Sequence, residues 1–464
     1  MECILTFMRH HVRQNEEVPV LVVGAGPAGL TAAITLARAG IETLVLERRT
    51  EVSDLPRATG VSTSTMELLR SWGLEDRVRA AAVDVEWQAL ATTSLAEAAA
   101  GTAIEVGYPT RAQSAVVSPT RPACVAQDEL EPILEAHLSS LPAARLRRGV
   151  EVLGVESRDD GAEATVRDAH GTYVIHARYL IAADGVRSRV RDALGIATRG
   201  PGDLATGLGV RFRAPLWDVV GDHRHVIYFL PGNHAALPVG HGDRWLYARP
   251  WDPRRERLGD LTPEDLTREV RHATGVPDLE PRIEGVSTAD YGVALADRFR
   301  ERSAFLIGDA AHRLTPRGAT GMNTAIRDAH DLGWKLSWVL RGWAGDALLD
   351  SYEAERRPVA EHNAARSADP NGSIRGTADE LRADLGGRIP HTWLPGESGR
   401  TSTLDLLSDG LTCFTGPGEG AARSRRGAPP VTTRRLDAMT ARALGILGSA
   451  SLLVRPDGVP AMAT

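Results

Sequence analysis

The sequence predicts an α/β fold in which a Rossmann-like nucleotide-binding domain carries a second lobe built on an antiparallel sheet. Three observations lead to this prediction. A strand, glycine loop, helix and strand open the chain after residue 17, short strands broken by turn residues follow from about residue 205, and a second strand–loop–helix unit returns after residue 303. At 464 residues the chain is too long for one ordinary core, so two or three domains are expected.

The first unit begins with the apolar strand VPVLVV at residues 18–23, continues through GAGPAG into the helix LTAAITLARAG, and ends with the strand ETLVLE. Nearly unbroken apolar strands are typical of a parallel sheet buried on both faces. Gly24 allows the turn, Gly26 lets the backbone approach a pyrophosphate, and Gly29 lets the helix pack on the strand. Glu47 ends the second strand, where a carboxylate binds ribose hydroxyls. The unit predicts an adenine dinucleotide, either FAD or NAD.

The middle of the chain is predicted from its turn signals. Ser64 and Glu67 resemble a capping box that opens a helix ended by Gly73. Residues 151–184 alternate like a β-meander with Asp-Gly and His-Gly turns. The stretches GLGVRFRA, HVIYFLPG, HAALPVGHG and RWLYARPW predict the short strands of the antiparallel lobe. Residues 361–385 are predicted to be a polar linker to a small C-terminal domain.

Composition excludes several classes of partner. A hydrophobic fraction of 42% and a charged fraction of 25% fit a soluble globular protein, and the formal net charge of −6 argues against nucleic acid or an anionic membrane. The segment before residue 18 lacks the features of a signal peptide and is predicted to be a loose tail. Cys3, Cys124 and Cys413 are scattered, which suits a reducing cytoplasm and neither a disulfide framework nor a metal site.

The second unit, AFLIGDAAHRLTPRGATGMN, decides between FAD and NAD. NAD needs one nucleotide-binding unit, whereas the ribityl chain and ring of FAD extend past the pyrophosphate. Asp309 ends the strand of this second unit, where it is placed to accept hydrogen bonds from a ribityl hydroxyl. The helix that begins near Gly321 directs free N–H groups and a positive dipole end into the same cleft, which stabilises the negative charge of a reduced flavin. We therefore predict FAD.

At this point the chain resembles the class A flavoprotein aromatic hydroxylases, the p-hydroxybenzoate and phenol hydroxylase group, and most of all those that act on aromatic polyketides in bacterial antibiotic pathways. The resemblance covers about residues 18–365. GAGPAG matches the first motif of the group, ARYLIAADGVRSRVR the second, and GDAAHRLTPRGATGMN the third. It implies that Asp184 takes part in handling FAD and the reduced nicotinamide. It also implies that the flavin contacts residues of the third motif, namely Pro316, Gly321, Met322 and Asn323.

Further cofactor residues follow from the same resemblance. Arg57 matches an arginine that approaches the FAD pyrophosphate and affects flavin motion. Arg121 and Gln127 match a pair that binds the ribose and phosphate region, and Arg48 with the backbone near Val152 fits the adenosine end.

The chain also departs from the group in two places. Ala319 and Thr320 stand where the group commonly has Gly-Gln, so the loop over the flavin is expected to differ in detail. The C-terminal segment resembles a shortened thioredoxin-like domain without CxxC, and we assign it no redox chemistry.

The resemblance implies an FAD-dependent monooxygenase that uses NADH or NADPH and O₂ to hydroxylate a small phenolic or polyketide substrate in secondary metabolism. It implies an FAD-binding domain at residues 18–200 and 300–365, a substrate lobe at 201–299, and the C-terminal domain at 385–464. The protein is expected to be a monomer or homodimer, with no nucleic-acid or membrane partner and no metal. No residue is assigned as general base.

Some alternatives remain open. The strands of the substrate lobe carry four aromatic or imidazole side chains that either line a pocket for a planar substrate or belong to the core: His225, Tyr228, Trp245 and Tyr247. A Baeyer–Villiger oxygenation would use the same scaffold, and a non-catalytic FAD-binding pathway partner would have the same motifs. A flavin-dependent halogenase is disfavoured, because its tryptophan-rich motif is missing and the one lysine, Lys335, falls in a helix.

Overall fold

The computed structural model describes residues 16–53, 55, 58–396, 399–417 and 426–461. Arg57 and nearly all of the predicted N-terminal tail lie outside these residues. The helices are α1 (Pro27–Arg38), α2 (Thr63–Ser71), α3 (Glu75–Ala80), α4 (Arg111–Val117), α5 (Gln127–Ser139), α6 (Arg189–Ala193), α7 (Leu216–Val220), α8 (Pro263–Thr274), α9 (Gly321–Leu340), α10 (Ala347–Ala368), α11 (Thr377–Leu385) and α12 (Ala438–Ala443).

The strands are distributed over the whole described chain. They are β1 (Glu16–Val23), β2 (Thr43–Glu47), β3 (Gly60–Val61), β4 (Glu86–Ala91), β5 (Thr102–Glu105), β6 (Ala123–Cys124), β7 (Ala144–Arg148), β8 (Glu151–Ser157), β9 (Ala162–Asp168), β10 (Gly171–Ala182), β11 (Thr198–Arg213), β12 (His225–Leu230), β13 (His234–Pro238), β14 (Arg244–Trp251), β15 (Arg282–Ala296), β16 (Arg300–Glu301), β17 (Ala304–Leu306), β18 (His312–Arg313), β19 (Trp393–Gly396), β20 (Gly399–Ser402), β21 (Leu411–Thr415), β22 (Val431–Arg435) and β23 (Ser451–Val454).

The first sheet is the predicted nucleotide-binding sheet. Its strand order is β16–β17–β10–β1–β2–β7, with β9 and β8 added beside β10. The neighbours from β17 to β7 run parallel, and the apolar residues of β1 and β2 are almost fully buried. The run β8, β9 and β10 is antiparallel and forms the predicted meander. Helices α1 and α9 pack on this sheet, so its central strands are covered and their uninterrupted apolar sequence is explained.

The second sheet forms the substrate lobe and is larger than the sequence suggested. Its order is β18–β15–β11–β14–β13–β12–β4–β5, antiparallel except between β12 and β4. The four predicted strands form its centre. Residues 86–105, which fall within the predicted FAD-binding domain, supply β4 and β5 at one edge. At the other edge β18 lies inside the second strand–loop–helix unit, shortly after β17, so the two sheets meet at that point.

Two local predictions are wrong. The cap of α2 is Ser62, whose hydroxyl accepts from the Thr65 N–H, and not Ser64; Glu67 instead pairs with Arg388. Residues 361–385 are not a linker, because α10 runs to residue 368 and α11 begins at residue 377. Polar side chains of this segment are buried against one another and against neighbouring loops, so a polar composition did not mean exposure.

The C-terminal residues form a small unit with a core of its own. A three-stranded sheet of order β22–β21–β23 packs with α12 around Phe414, and β19 pairs with β20. This unit is attached to the first sheet's helices by ion pairs, Arg455 with Glu355 at 2.7 Å and Arg388 with Glu67 at 2.6 Å. Among the helices of the described residues, none is long and apolar enough to cross a membrane.

Candidate active site

Four residues singled out from the sequence lie along one edge of the first sheet. Gly24 follows β1, Glu47 ends β2, Asp184 follows β10, and Asp309 follows β17. The strand order β17–β10–β1–β2 and their parallel direction place the four strand ends side by side. At about 4.8 Å per strand, the row spans about 14 Å. An extended ligand lying across these carboxyl ends therefore meets all four positions, as ligands of open α/β sheets do.

The geometry of the glycine loop fits a pyrophosphate. Gly24 has φ +105°, and a Cβ there would overlap the carbonyl of Ala183; a Cβ on Gly29 would overlap the carbonyl oxygen of Gly24. A Cβ on Gly26 would meet no atom within 4 Å, so this position borders open space. Helix α1 begins directly after Gly26 with Pro27 in its first turn, and its N-terminal amides face the same space. The backbone is therefore closely packed at Gly24 and Gly29, and the space beside Gly26 is open for a bound phosphate.

The Glu47 carboxylate, predicted to bind the ribose, takes part in the turn. Its oxygens accept from the backbone N–H groups of Ala25 and Arg49, both at 2.9 Å. These bonds join the glycine loop after β1 to the end of β2. The carboxylate is therefore held in place before any ligand binds, and each oxygen has a further lone pair to offer a hydroxyl group.

Asp184 and Asp309 lie in different environments. One oxygen of Asp184 accepts from the Val190 N–H at 3.1 Å, while the other, Oδ1, is buried without a hydrogen-bond partner in the described chain. Burial raises the pKa of Asp184 above its ordinary value. A buried oxygen without a partner fits a site that a ligand hydroxyl or amide completes. Asp309 lies exposed in a short 3₁₀ turn that follows β17.

The remaining predicted cofactor residues lie on several different elements. Arg48 is exposed beside Glu47, and Val152 is buried in β8, where only its backbone is available. Arg121 is exposed, and its guanidinium lies 3.5 Å from Asp84. Gln127 opens α5, and its side chain donates to Glu131 at 2.6 Å. These positions stay a prediction for cofactor binding, and Arg57 lies outside the described residues.

The third motif forms a loop that leads into α9. Pro316 is exposed in this loop, and the amides of Gly321 and Met322 precede the first intrahelical bond, from Thr324 N–H to the Thr320 carbonyl. They are consequently available at the helix N-terminus. The side chain of Asn323 is bonded within the protein, where it accepts from Ser62 N–H at 2.8 Å and donates to the carbonyl of Gly60 at 2.9 Å. Only the backbone of Asn323 remains for a cofactor.

The four residues proposed for a substrate pocket lie in or beside the closed core of the second sheet. Tyr228 and Trp245 are completely buried, Tyr247 is 2% exposed, and their cluster includes Leu266 of α8. The Tyr228 hydroxyl donates to the carbonyl of His223, and the Tyr247 hydroxyl bonds to the ring of His234.

This placement argues against direct substrate contact by Tyr228, Trp245 and Tyr247, because α7 and α8 cover their face of the sheet. His225 is 8% exposed, and its ring contacts Tyr228 edge-on. Burial lowers the pKa of His225, which keeps the ring neutral near pH 7. We place all four residues with the core and look to the other face of the strands for a pocket.

The opposite face of the same strands is half-buried and apolar. Because side chains alternate along a strand, the neighbours of the core residues point to this second face. It is formed by Ile227, Phe229, Leu237 and Leu246, each partly exposed. Trp87 and Tyr108 continue the surface at its β4 end, with ring centroids 4.7 Å apart. The face is therefore apolar and only partly covered, as a site for a planar molecule would require.

The comparison with known proteins agrees with this geometry. The sequence profile of a family described as the FAD binding domain matches residues 17–367, and that of the aromatic-ring hydroxylase C-terminal domain matches residues 382–464. The chain belongs to the FAD-dependent aromatic-ring hydroxylases. The row of strand ends therefore lies in the part of the hydroxylase that matches the FAD binding domain. The C-terminal unit matches the C-terminal domain of aromatic-ring hydroxylases.

The relatives of this hydroxylase include enzymes of Streptomyces species. A putative polyketide hydroxylase of Streptomyces halstedii is 36% identical over 442 residues, which cover 84% of this chain and 79% of the relative. The tetracenomycin A2 monooxygenase-dioxygenase of Streptomyces glaucescens is 33% identical, covering 96% and 93% of the two chains. A solved complex of aklavinone-11 hydroxylase with FAD and aklavinone superposes with a TM-score of 0.86 at 32% identity, covering 97% of this chain and 96% of that chain.

Sequence reasoning missed several residues that shape this site of the hydroxylase. The Tyr108 hydroxyl donates to the carbonyl of Ala319 at 2.9 Å, and the edge of Trp87 lies against Gly60. Burial, with the nearby charge of Asp384, raises the pKa of Tyr108, so the phenol stays protonated and can donate. Neither Tyr108 nor Trp87 belongs to a motif. Gly107 beside Tyr108 has a positive φ, but the sequence alone does not reveal this conformation.

Proposed function

We propose that this hydroxylase takes electrons from NADH or NADPH and uses O₂ to hydroxylate a phenolic aromatic substrate of secondary metabolism. The observation that carries the proposal is the row of Gly24, Glu47, Asp184 and Asp309 along one sheet edge. This edge adjoins the substrate lobe, because β18 begins three residues after Asp309 and is the edge strand of the second sheet. A flavin held along the row thereby ends beside the lobe that would hold an aromatic ring.

When bound, FAD supplies electron storage and the activation of O₂. The protein's own groups bind and orient it. The amides of α1 face the pyrophosphate position, Glu47 the adenosine ribose, and Asp309 the ribityl chain. The N-terminal amides of α9 favour negative charge on the reduced ring. The packed side chains of Trp87 and Tyr108 exclude water beside the third-motif loop, which protects a reactive intermediate from decay.

The proposed substrate is a planar polycyclic polyketide. The half-buried face of Ile227, Phe229, Leu237 and Leu246 suits stacking and apolar contact with fused rings rather than recognition of a charged group. The names of the relatives, which include polyketide, tetracenomycin and aklavinone hydroxylases, support the same substrate class. Because relatives are named as hydroxylases, we propose hydroxylation rather than Baeyer–Villiger oxygenation.

The nicotinamide cofactor is proposed to bind transiently. The chain has one GxGxxG fingerprint, and FAD occupies it in this proposal, so NADH or NADPH has no dinucleotide-binding unit of its own. We keep Arg57 as the residue proposed to couple nicotinamide binding to flavin position.

The proposal includes a cytoplasmic monomer or homodimer. Among the described cysteines, Cys124 and Cys413 are free and buried, as expected in a reducing compartment. Burial raises the pKa of the Cys124 thiol to about 12, so it stays protonated and unreactive.

Stopped-flow absorbance of the bound flavin tests the function. The holoenzyme is mixed anaerobically with NADH or NADPH, with and without a panel of phenolic polyketides. A substrate of the proposed class accelerates bleaching of the flavin band, since reduction without substrate would waste electrons on peroxide. Equal rates with every compound would contradict substrate-gated hydroxylation and favour an oxidase or a binding role. A lactone or ester as product would favour Baeyer–Villiger oxygenation.

A further inference from the structure

The loop of the third motif adopts a conformation that needs support from outside. Gly318 has φ +78° and Ala319, which is not glycine, has φ +51°. A left-handed conformation costs an alanine about 1–2 kcal/mol. The carbonyl of Ala319 accepts from the Tyr108 hydroxyl at 2.9 Å and from the side-chain amide of Asn323 at 3.0 Å. Surrounding groups therefore hold this loop in place, as is required when a strained conformation persists.

Arg366, in the segment predicted to be a linker, supports the loop from behind. It is 4% exposed, and each of its guanidinium nitrogens has a partner. Nε donates to the carbonyl of Gly372 at 2.9 Å, Nη1 to the carboxylate of Glu380 at 2.8 Å, and Nη2 to the carbonyl of Val106 at 2.8 Å. One buried cation thus joins α10, α11 and the end of β5.

Two glycines make room for this ion pair. A Cβ on Gly318 would lie 2.5 Å from Nε of Arg366, so the guanidinium lies directly against the third-motif loop. A Cβ on Gly107 would lie 2.7 Å from Nη2 of Arg366 and 2.8 Å from Cγ of Glu380. Gly107 precedes Tyr108, whose hydroxyl supports Ala319. The ion pair is therefore enclosed between the third-motif loop and the loop that carries Tyr108.

Residues next to Arg366 attach the start of the same loop. The Ser367 hydroxyl lies 2.8 Å from the Thr315 hydroxyl, which donates to the Ser367 carbonyl at 2.9 Å. Arg317 donates to the same carbonyl at 3.3 Å. The start of the loop is thus tied to α10, and a change at Arg366 reaches the loop without passing through the first sheet.

We propose that Arg366 and Glu380 form a positioning pair that holds the third-motif loop and sets the charge behind it, and thereby sets the reduction potential of the flavin. The inference rests on the proposed function, in which this loop and the N-terminus of α9 face the flavin ring. The two charges balance in the native pair. Removing either one leaves the other buried behind the loop, where a low dielectric strengthens its effect on the flavin.

The two single variants have opposite effects. Arg366→Met leaves Glu380 without its buried guanidinium partner, and only the more exposed side chains of His362 at 3.1 Å and Arg375 at 4.0 Å remain beside it. The negative charge left behind the loop disfavours an anionic reduced flavin. Glu380→Gln leaves the charge of Arg366 uncompensated, and a positive charge behind the loop favours an anionic reduced flavin. A purely structural role would not reverse the sign, because both substitutions loosen the same loop.

The experiment measures the reduction potential of bound FAD by dye-coupled reductive titration of the holoenzyme. Arg366→Met is expected to shift the potential to more negative values, Glu380→Gln to more positive values, and Arg366→Lys to restore most of the wild-type value. Arg388→Met and Glu67→Gln are matched controls, since the side chains of this pair are only 6% and 12% exposed and Arg388 also donates to backbone carbonyls, but the pair does not contact the loop. Neither control is expected to shift the potential.

Shifts of Arg366→Met and Glu380→Gln in the same direction, or no larger than those of the controls, would overturn the proposal. If Arg366→Met fails to fold, the reduction potentials of Glu380→Gln and Glu67→Gln are compared. A shift to more positive values in Glu380→Gln alone then supports the proposal, and equal potentials overturn it. Failure of the wild-type protein to bind FAD, measured by calorimetric titration, would instead refute the proposed function, so the two failures are distinguishable.

Discussion

At the scale of single residues, the carboxylates along the sheet edge serve both the fold and the ligand. Glu47 accepts hydrogen bonds from two backbone amides of adjoining turns, so it holds the fold at the position predicted for the ribose. Asp184 is similar, because one of its oxygens accepts from the Val190 N–H. Asp309 is exposed in the short turn that follows β17. Its substitution tests a ligand contact at this end of the row.

Asp309→Ala is predicted to weaken FAD binding. Each charged hydrogen bond to a ribityl hydroxyl contributes about 1.5–3 kcal/mol, so the dissociation constant should rise by about tenfold or more. Calorimetric titration of FAD into the apo-protein measures the change. Asp159→Ala is the control, since that carboxylate is 91% exposed and lies far along the chain from the motif. Unchanged affinity in Asp309→Ala would remove this residue from the site.

Ala319→Gly is predicted to stabilise the apo-protein by about 1 kcal/mol. Glycine adopts φ +51° without the clash that alanine suffers, and this gain exceeds the entropy that glycine adds to the unfolded chain. Urea unfolding measures the difference. Ala365→Gly in the exposed face of α10 should destabilise the protein by about 0.5–1 kcal/mol, because that alanine is helical. A loss of stability in Ala319→Gly would show that the strain argument is wrong.

At the scale of elements, sequence patterns located the three motifs but not the packing around them. The strand before Gly24 and the helix α9 follow from apolar periodicity and turn residues. The segment 361–385 was wrongly predicted to be a linker, because Asn363, Arg366 and Glu380 are polar and composition does not reveal that they are buried with partners. Likewise, alternation predicted the strands of the substrate lobe. Which face is closed depends on where α7 and α8 pack, and this is a tertiary property.

His330 in helix α9 makes the stability of the protein sensitive to acid. Burial, together with the charge of Arg327, lowers the pKa of His330 to about 3, and Asp457 and Arg356 are the other charged groups near it. An unfolded histidine titrates near pH 6.5. Between that pH and about 3, the unfolded chain binds a proton that the folded chain does not. The stability due to neutral His330 is therefore fully present above pH 6.5 and is lost as the pH falls.

His330→Gln is predicted to reduce this acid sensitivity. The wild-type protein should lose about 1.4 kcal/mol per pH unit from this residue alone below pH 6.5, and the variant should lose correspondingly less. Urea unfolding at pH 7 and pH 5 measures the two slopes. Identical slopes in both proteins would mean that His330 already binds a proton in the folded state.

At the scale of the whole molecule, the C-terminal unit is attached to the outside of the helices rather than to the site. Arg455 pairs with Glu355, and the indole of Trp338 donates to the carbonyl of Asp409 at 3.0 Å. The residues that support the third-motif loop all precede this unit. Asp384, which accepts from Ser62 and Ser64, lies at the end of α11.

A chain that ends at Gly386 is predicted to keep the visible spectrum of bound FAD but to unfold at a lower temperature and aggregate more readily. Truncation removes the acceptor of the Trp338 indole and exposes the apolar surface of α9 beneath the unit. Absorbance spectra and thermal unfolding of the purified proteins measure both effects. Loss of the flavin on truncation would show that the unit contributes to the cofactor site.

The most direct test of the central claim follows an oxygen atom from O₂ into an aromatic product. The holoenzyme is incubated with NADPH, a polycyclic phenolic polyketide and isotopically labelled dioxygen, and the product is analysed by mass spectrometry. Our account predicts one labelled oxygen per product molecule, present as a new hydroxyl group on an aromatic ring. NADPH oxidation that yields only hydrogen peroxide with every compound of the class, or a product whose new oxygen comes from water, would contradict it.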